Sequence, residues 1–406
     1  MRLPSSRLHP VKTHKHILAT TIAALLSCQG AGASNTVNDY IGSVTGSFLT
    51  PGNWSLGTVP TVSNDAIFPL AAGTGIRTLN LGNVTVGSLN ALAATGTFSI
   101  RNEASDATNS TLTLGGVGNL GNSVSGNAAD LLYVAAGATL NIRGDNGGGG
   151  TGVLGLQLGQ TGAFDIAGTG TISAVISGAG FGFTKTGAGT LTLNSSAANT
   201  YTGPTSVTGG TLTLDFANLA TPTNLISSSS ALSLGSGTLS VLGKSAGATS
   251  QTFAGTTFNA GADTIIINRN GGTSATLALG AITRNTGSVV NFRPATGWTT
   301  TASTTEIVTT TGINGGALPG ATSFIGAWAT QGTGTGTRYV QLTAGGQFVG
   351  APSATALTAT TAANMTSATT GYSWTTGNFT LGGNLTAYSL LANNSGASTF
   401  TIGAIR

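Results

Sequence analysis

Aliphatic residues alternate with Thr, Ser or Asn along much of this chain. The tetrapeptide Thr-Leu-x-aliphatic stands at 78–81, 111–114, 139–142, 190–193, 211–214, 238–241 and 276–279. A period of two is the pattern of a strand with one buried face. The outward threonines favour the same backbone, because a branched Cβ suits a pleated surface. Helices are not expected, since glycines interrupt almost every window and charged helix formers are rare. Successive tetrapeptides start 33, 28, 51, 21, 27 and 38 residues apart. The gap of 51 also holds Val153–Leu158 and Thr171–Ile176, which read as strands, so two or more coils fit within it. Units of roughly 20–30 residues with short strands are the range of a β-solenoid, in which each coil buries its apolar face on the next. At about 22 residues per coil and ~4.8 Å per rung, the chain would make up to ~16 coils and a rod of at most roughly 80 Å.

Composition supports this reading and removes several others. Of 406 residues, 64 are glycine and 6% are charged, against about 7% and about 25% in a typical soluble domain. Glycine and Asn supply the positive φ that tight corners need. The single cysteine, Cys28, and the three histidines, His9, His14 and His16, all precede position 30. The rest of the chain therefore lacks the imidazoles and thiols of Ser-His-Asp or Cys-His catalysis, of His/Cys zinc sites and of disulfide scaffolds. The runs at Ser227–Ser230 and at glycines 144 and 147–150 read as loops. The Thr-rich stretch 299–311 reads as strand or stalk.

Residues 1–33 have the three parts of an export signal. Arg2, Arg7, Lys12 and Lys15 precede the apolar run Ile17–Leu26, and Ala31-Gly32-Ala33 offers a small-x-small site with Ser34 as the new N-terminus. A lipoprotein signal ending at Cys28 is the alternative. The apolar run is shorter than the ~20 residues needed to span a bilayer, and no later run is long enough. Without the four basic residues of the signal, ten positive side chains balance ten acids, so the net charge of +4 belongs to the signal. The balance leaves nothing from which to build a nucleic-acid surface or a patch for anionic lipid.

Residues 183–215 read FTKTGAGTLTLNSSAANTYTGPTSVTGGTLTLD. This segment resembles the autotransporter-associated β-strand repeat of large secreted bacterial surface proteins. The matching positions include Lys185, Gly187, Gly189, Leu191, Leu193, Asn199, Tyr201, Gly203, Val207, Gly209, Gly210 and Leu212. Pro204 stands where the pattern commonly has glycine, which requires a corner where its nitrogen makes no ladder bond. Weaker resemblances flank it, from Asn53-Trp54 to Leu89 and over Phe324–Thr330 and Tyr339–Leu342. The resemblance implies an all-β fold, a right-handed parallel β-helix or β-solenoid of single-stranded-coil repeats on a pectate-lyase-like scaffold. It also implies a location outside a Gram-negative cell. The chain would divide into a signal (1–33), N-terminal coils (34–180), the repeat (181–220) and further coils (221–406). A chain that ends in a strand-like run, without a barrel, would be a released protein or a fragment of a longer product.

Few residues suggest chemistry. Arg143-Gly144-Asp145 is an adhesion-type tripeptide, or a solvated corner. Arg101, Glu103 and Asp106 form the densest charge cluster after the signal, and a glycan-cleaving site would need two such acids to converge; a polar turn is the plainer account. Trp54, Trp298, Trp328 and Trp374, with Tyr201 and Tyr372, would stack on sugars if exposed and would cap or pack corners if not. The acids are scattered, so no metal site and no cofactor are expected. The expected function is a non-catalytic structural or adhesin-type rod whose partners are surface glycans or other copies of itself. A carbohydrate-binding or carbohydrate-cleaving protein on the same scaffold is the alternative.

Overall fold

The computed structural model describes residues 34–351 apart from 43–46, 70–74, 80–82, 93–95, 103–106, 146–149, 319–321 and 333–337. Beyond 351 it describes the strands at 355–356, 371–374, 379–381, 389–392 and 400–402. The described chain is built of strands, with one 3-10 turn at Pro51–Asn53 and no α-helix.

The strands stack into a parallel β-helix. A first sheet of 11 strands runs from Thr36–Asp39 to Gly312–Ile313, and each neighbouring pair is parallel. At ~4.8 Å per rung, these strands span about 48 Å. A second sheet holds the Thr-Leu tetrapeptides at 139–142, 190–193, 211–214 and 238–241 in direct register. A third face has four strands between Asn83 and Ser177 and three between Ala248 and Thr309. A coil thus carries two or three short strands, a detail that one tetrapeptide per coil did not disclose.

Coil length sets the number of rungs. Partners lie 21 residues apart at Thr190 and Thr211, 26 at Leu239 and Ile265, and 43 at Leu89 and Leu132. Corner loops absorb the difference, so the stack has fewer coils than a uniform 22-residue unit would give.

Alternation decides what is buried. On the second sheet, Phe98, Leu140, Gly170, Leu191, Leu212, Leu239, Ile265 and Phe292 succeed one another as one inward row. Ile142, Ile172, Leu193, Leu214, Val241 and Ile267 form the next, and all six are at most 1% exposed. Outward, Thr139, Thr169, Thr190, Thr211, Thr238 and Thr264 make a rank of hydroxyls.

Aromatic residues close the stack. Tyr40, Phe48, Trp54 and Phe68 pack together at the N-terminal end, where Trp54 Nε1 donates to Phe48 O at 2.7 Å. Towards the other end Phe292, Trp298 and Phe348 pack together, and Ala329–Gln331 turns into antiparallel pairing with Arg338–Leu342. Gln331 makes two hydrogen bonds to the Trp298 backbone. The Thr-rich stretch resolves into a loop ending in the strand Glu306–Thr309.

Residues 116–129 fold over the outer face of the first sheet and bury polar groups there. Asp65 accepts from Asn35 Nδ2 (2.9 Å), Ser88 Oγ (2.7 Å), Ser123 N (2.7 Å) and Ser123 Oγ (2.5 Å). Asn122 reaches Asn90 and the Asp130 carbonyl. Asp130 itself is 1% exposed; Asn127 donates to its Oδ1 at 2.8 Å, and its Oδ2 has no partner. Burial pushes this carboxyl up to about 6, with Asp165 adding a smaller push against bonds from Ser125 and Asn127. The native state then holds the proton more tightly than the unfolded chain, so its stabilising effect is full below pH 4 and lost as pH rises through 6. Asp130→Asn should match the parent in denaturant melts at pH 4 and exceed it by up to about 3 kcal/mol at pH 7. An equal difference at both pH values would show that Asp130 does not titrate in this way.

Candidate functional site

Two places concentrate polar side chains against backbone: the repeat at 183–215 and the corner beside Arg143. In the repeat, Lys185 occupies an inward row of the first sheet, between Phe164 on one coil and Val207 on the next. Its side chain is 0% exposed. An ammonium there needs acceptors, and Nζ donates to Thr186 O (2.5 Å), Gly187 O (2.8 Å), Gly209 O (3.2 Å) and Ile166 O (3.3 Å). These carbonyls belong to three successive coils, so one lysine ties three rungs. Burial pushes its ammonium down to about 8, and Asp165 partly restores it.

Asn199 performs the same office on the third face, where this coil has no strand. Its Oδ1 accepts from Ile176 N at 2.7 Å, and its Nδ2 donates to Leu225 O at 2.9 Å. Tyr201 is buried beside Phe183, with its hydroxyl 2.7 Å from Thr205 Oγ1; Thr205 in turn meets Ser230, which donates to Gly203 O. Leu191, Leu193, Val207 and Leu212 are 0% exposed core residues. Pro204 sits just before the strand Thr205–Val207, and its carbonyl accepts from Phe183 N. Gly210 has φ +59°, where a side chain would be strained. Gly187 and Gly203 also sit at corners, and Gly209 supplies a carbonyl to Lys185.

Arg143-Gly144-Asp145 follows the strand Ala138–Ile142 at a corner. Arg143 Nε donates to Asp145 Oδ1 at 2.8 Å, and Nη2 to Oδ2 at 2.5 Å. The pair raises the Arg143 guanidinium and lowers the Asp145 carboxyl, chiefly through these bonds. The two side chains of this tripeptide bond each other and stay partly exposed, at 38% and 50%. Beside them an open groove of about 660 Å³ runs past Asn141, Ser173, Asn194 and Asn218. Asn194 Oδ1 is shielded from solvent and has no hydrogen-bond partner.

The family described as passenger-associated-transport-repeat matches residues 183–214. Residues 183–214 are thus a passenger-associated-transport repeat. Over 93 residues, 23% of its length, the chain is 40% identical to the "Adhesin BmaC autotransporter" of Brucella suis biovar 1 (strain 1330). That stretch is 3% of the relative, so the chain spans a small part of the length of the curated protein it matches. No solved structure gives a significant match. The passenger repeat is thus the segment in which Lys185 and Asn199 bind neighbouring coils together.

The remaining candidates fall elsewhere. Trp54, Trp298, Trp328 and Tyr201 are at most 7% exposed, so the sugar-stacking alternative is corrected for these four: they pack the core and its ends. The side chains of Tyr372 and Trp374 lie outside the described residues, as do Glu103, Asp106, Cys28, Ala31 and Ala33. Arg101 is half-buried at the end of Gly96–Asn102, and Ser34 is exposed. Among the described residues no group of three His, Cys, Asp or Glu is placed to hold a metal, and no helix is long and apolar enough to cross a membrane. Sequence reading missed the groove, because Asn141, Ser173, Asn194 and Asn218 are 21 to 32 residues apart. A usable signal was the polar residue that closes successive strand segments, as in LTLN at 191–194.

Proposed function

We propose that this chain is a non-catalytic, adhesin-type passenger segment, a rod exposed on or released from the surface of a Gram-negative cell. The observation that carries the reading is the passenger repeat built into an uninterrupted parallel stack, with its distinguishing Lys185 and Asn199 spent on holding coils together. Glycan cleavage would need two carboxyl groups roughly 5–10 Å apart across a groove. The groove beside Arg143 is lined by one carboxylate, Asp145, already held by arginine. Two further acids serve the fold: Asp65 accepts four bonds, and Glu306 accepts from Thr296 and Thr305 with Arg269 3.6 Å away.

Beads coated with the full chain should attach saturably to cultured cells or to one another, and a soluble Arg-Gly-Asp peptide should not compete. Absence of attachment would remove the adhesin reading. Release of new reducing ends from a polysaccharide by the purified chain would remove the non-catalytic part.

A further inference from the structure

We propose that the groove beside Arg143 and Asp145 binds a short stretch of neutral glycan, laid along the axis of the coils. The inference deepens the adhesin reading and rests on it for its biological sense. Arg143, Ser173, Asn194 and Asn218 come from four successive coils, so the groove extends about 14 Å at ~4.8 Å per rung, the length of a short oligosaccharide. Its volume of about 660 Å³ lies in the range of small-molecule sites.

The lining chemistry selects the ligand. One cation and one anion face the groove and neutralise each other through two hydrogen bonds, so a charged ligand finds no net field. Val153 is the one aliphatic side chain in the lining, so a peptide held by apolar anchors finds no pocket. Amides and hydroxyls remain, and each both donates and accepts, as sugar hydroxyls require. Asn218 is exposed and offers its side-chain amide to a ligand in the groove. The Arg143–Asp145 pair sets a donor beside an acceptor, the complement of two adjacent hydroxyls. No aromatic ring lines the groove, so a single site binds weakly and copies displayed together supply avidity.

The test is a titration of the full chain with neutral trisaccharides of glucose, N-acetylglucosamine and mannose, read by saturation-transfer NMR, beside an array of neutral, sulfated and sialylated glycans. At least one neutral saccharide should bind saturably. Arg143→Gln and Asn218→Ala should each weaken it about tenfold, the loss of one or two hydrogen bonds, with an unchanged β-sheet circular-dichroism spectrum. If Asn218→Ala disturbs the spectrum, Arg143→Gln carries the test alone. Binding confined to charged glycans, no saturation by any neutral saccharide, or full binding by a folded variant overturns the proposal. Bead attachment without saccharide binding removes this inference and spares the adhesin reading; saccharide binding without attachment does the reverse.

Discussion

Gly189→Ala should unfold the passenger repeat. A Cβ at this position would stand 1.9 Å from Gly168 O and 2.8 Å from Ala167 O. Both are backbone atoms of the coil beneath, held in the ladder, and neither can swing aside as a long side chain would. Gly189 N also donates to Ile166 O at 2.8 Å, so moving this strand away breaks the rung. The expected cost is about 4 kcal/mol, the upper end of single substitutions and of the kind that overpacking produces. Gly52→Ala is the control: an added Cβ there meets nothing within 4 Å, and the expected change stays within about 0.5 kcal/mol. Thermal melts with amide hydrogen exchange would separate the two. Retained protection of Leu191 and Leu193 in the Gly189 variant would show that the coils can spread.

Asp65→Ala should free the N-terminal coils from the loop that covers them. Four donors converge on this buried carboxylate, and removing it leaves Asn35, Ser88 and both Ser123 donors without an acceptor under the loop. Leaving a buried donor without an acceptor costs about 1–3 kcal/mol, and several are left here, more than the local packing of a methyl can return. The damage should stay local, because each coil touches only its neighbours. Limited proteolysis should cut within 116–129, while exchange protection at Leu212 and Leu239 is kept. Parent-like resistance of the loop would mean that its backbone contacts suffice.

Legibility followed the physics of each feature. The alternation of Leu and Thr at 190–193 and 211–214 is local, so strand and buried face were readable without a partner in view. Gly187, Gly189 and Gly210 were readable as corner positions for the same reason. The lysine was readable as part of a motif but not as a core residue, because a charged side chain scores as surface until its acceptors are seen. Its acceptors sit at 166, 186, 187 and 209, and the stacking register brings them together. Coil length was hidden for a related reason: loops such as 116–129 lengthen a coil without changing its rungs. The groove was invisible because its side chains belong to four coils and each is unremarkable alone.

The ladder bonds lie along the long axis of the rod, and that direction governs how it meets tension. A pull between the ends loads the rungs one after another, like a zipper, so coils should peel off singly at modest force. Each released coil lengthens the chain by tens of ångströms at ~3.3 Å per residue before the next rung is strained. In the adhesin role proposed above, such a rod would absorb work under fluctuating drag. Where Lys185 and Asn199 clamp several rungs together, peeling must pause, and the passenger repeat becomes a stop along the line of extension.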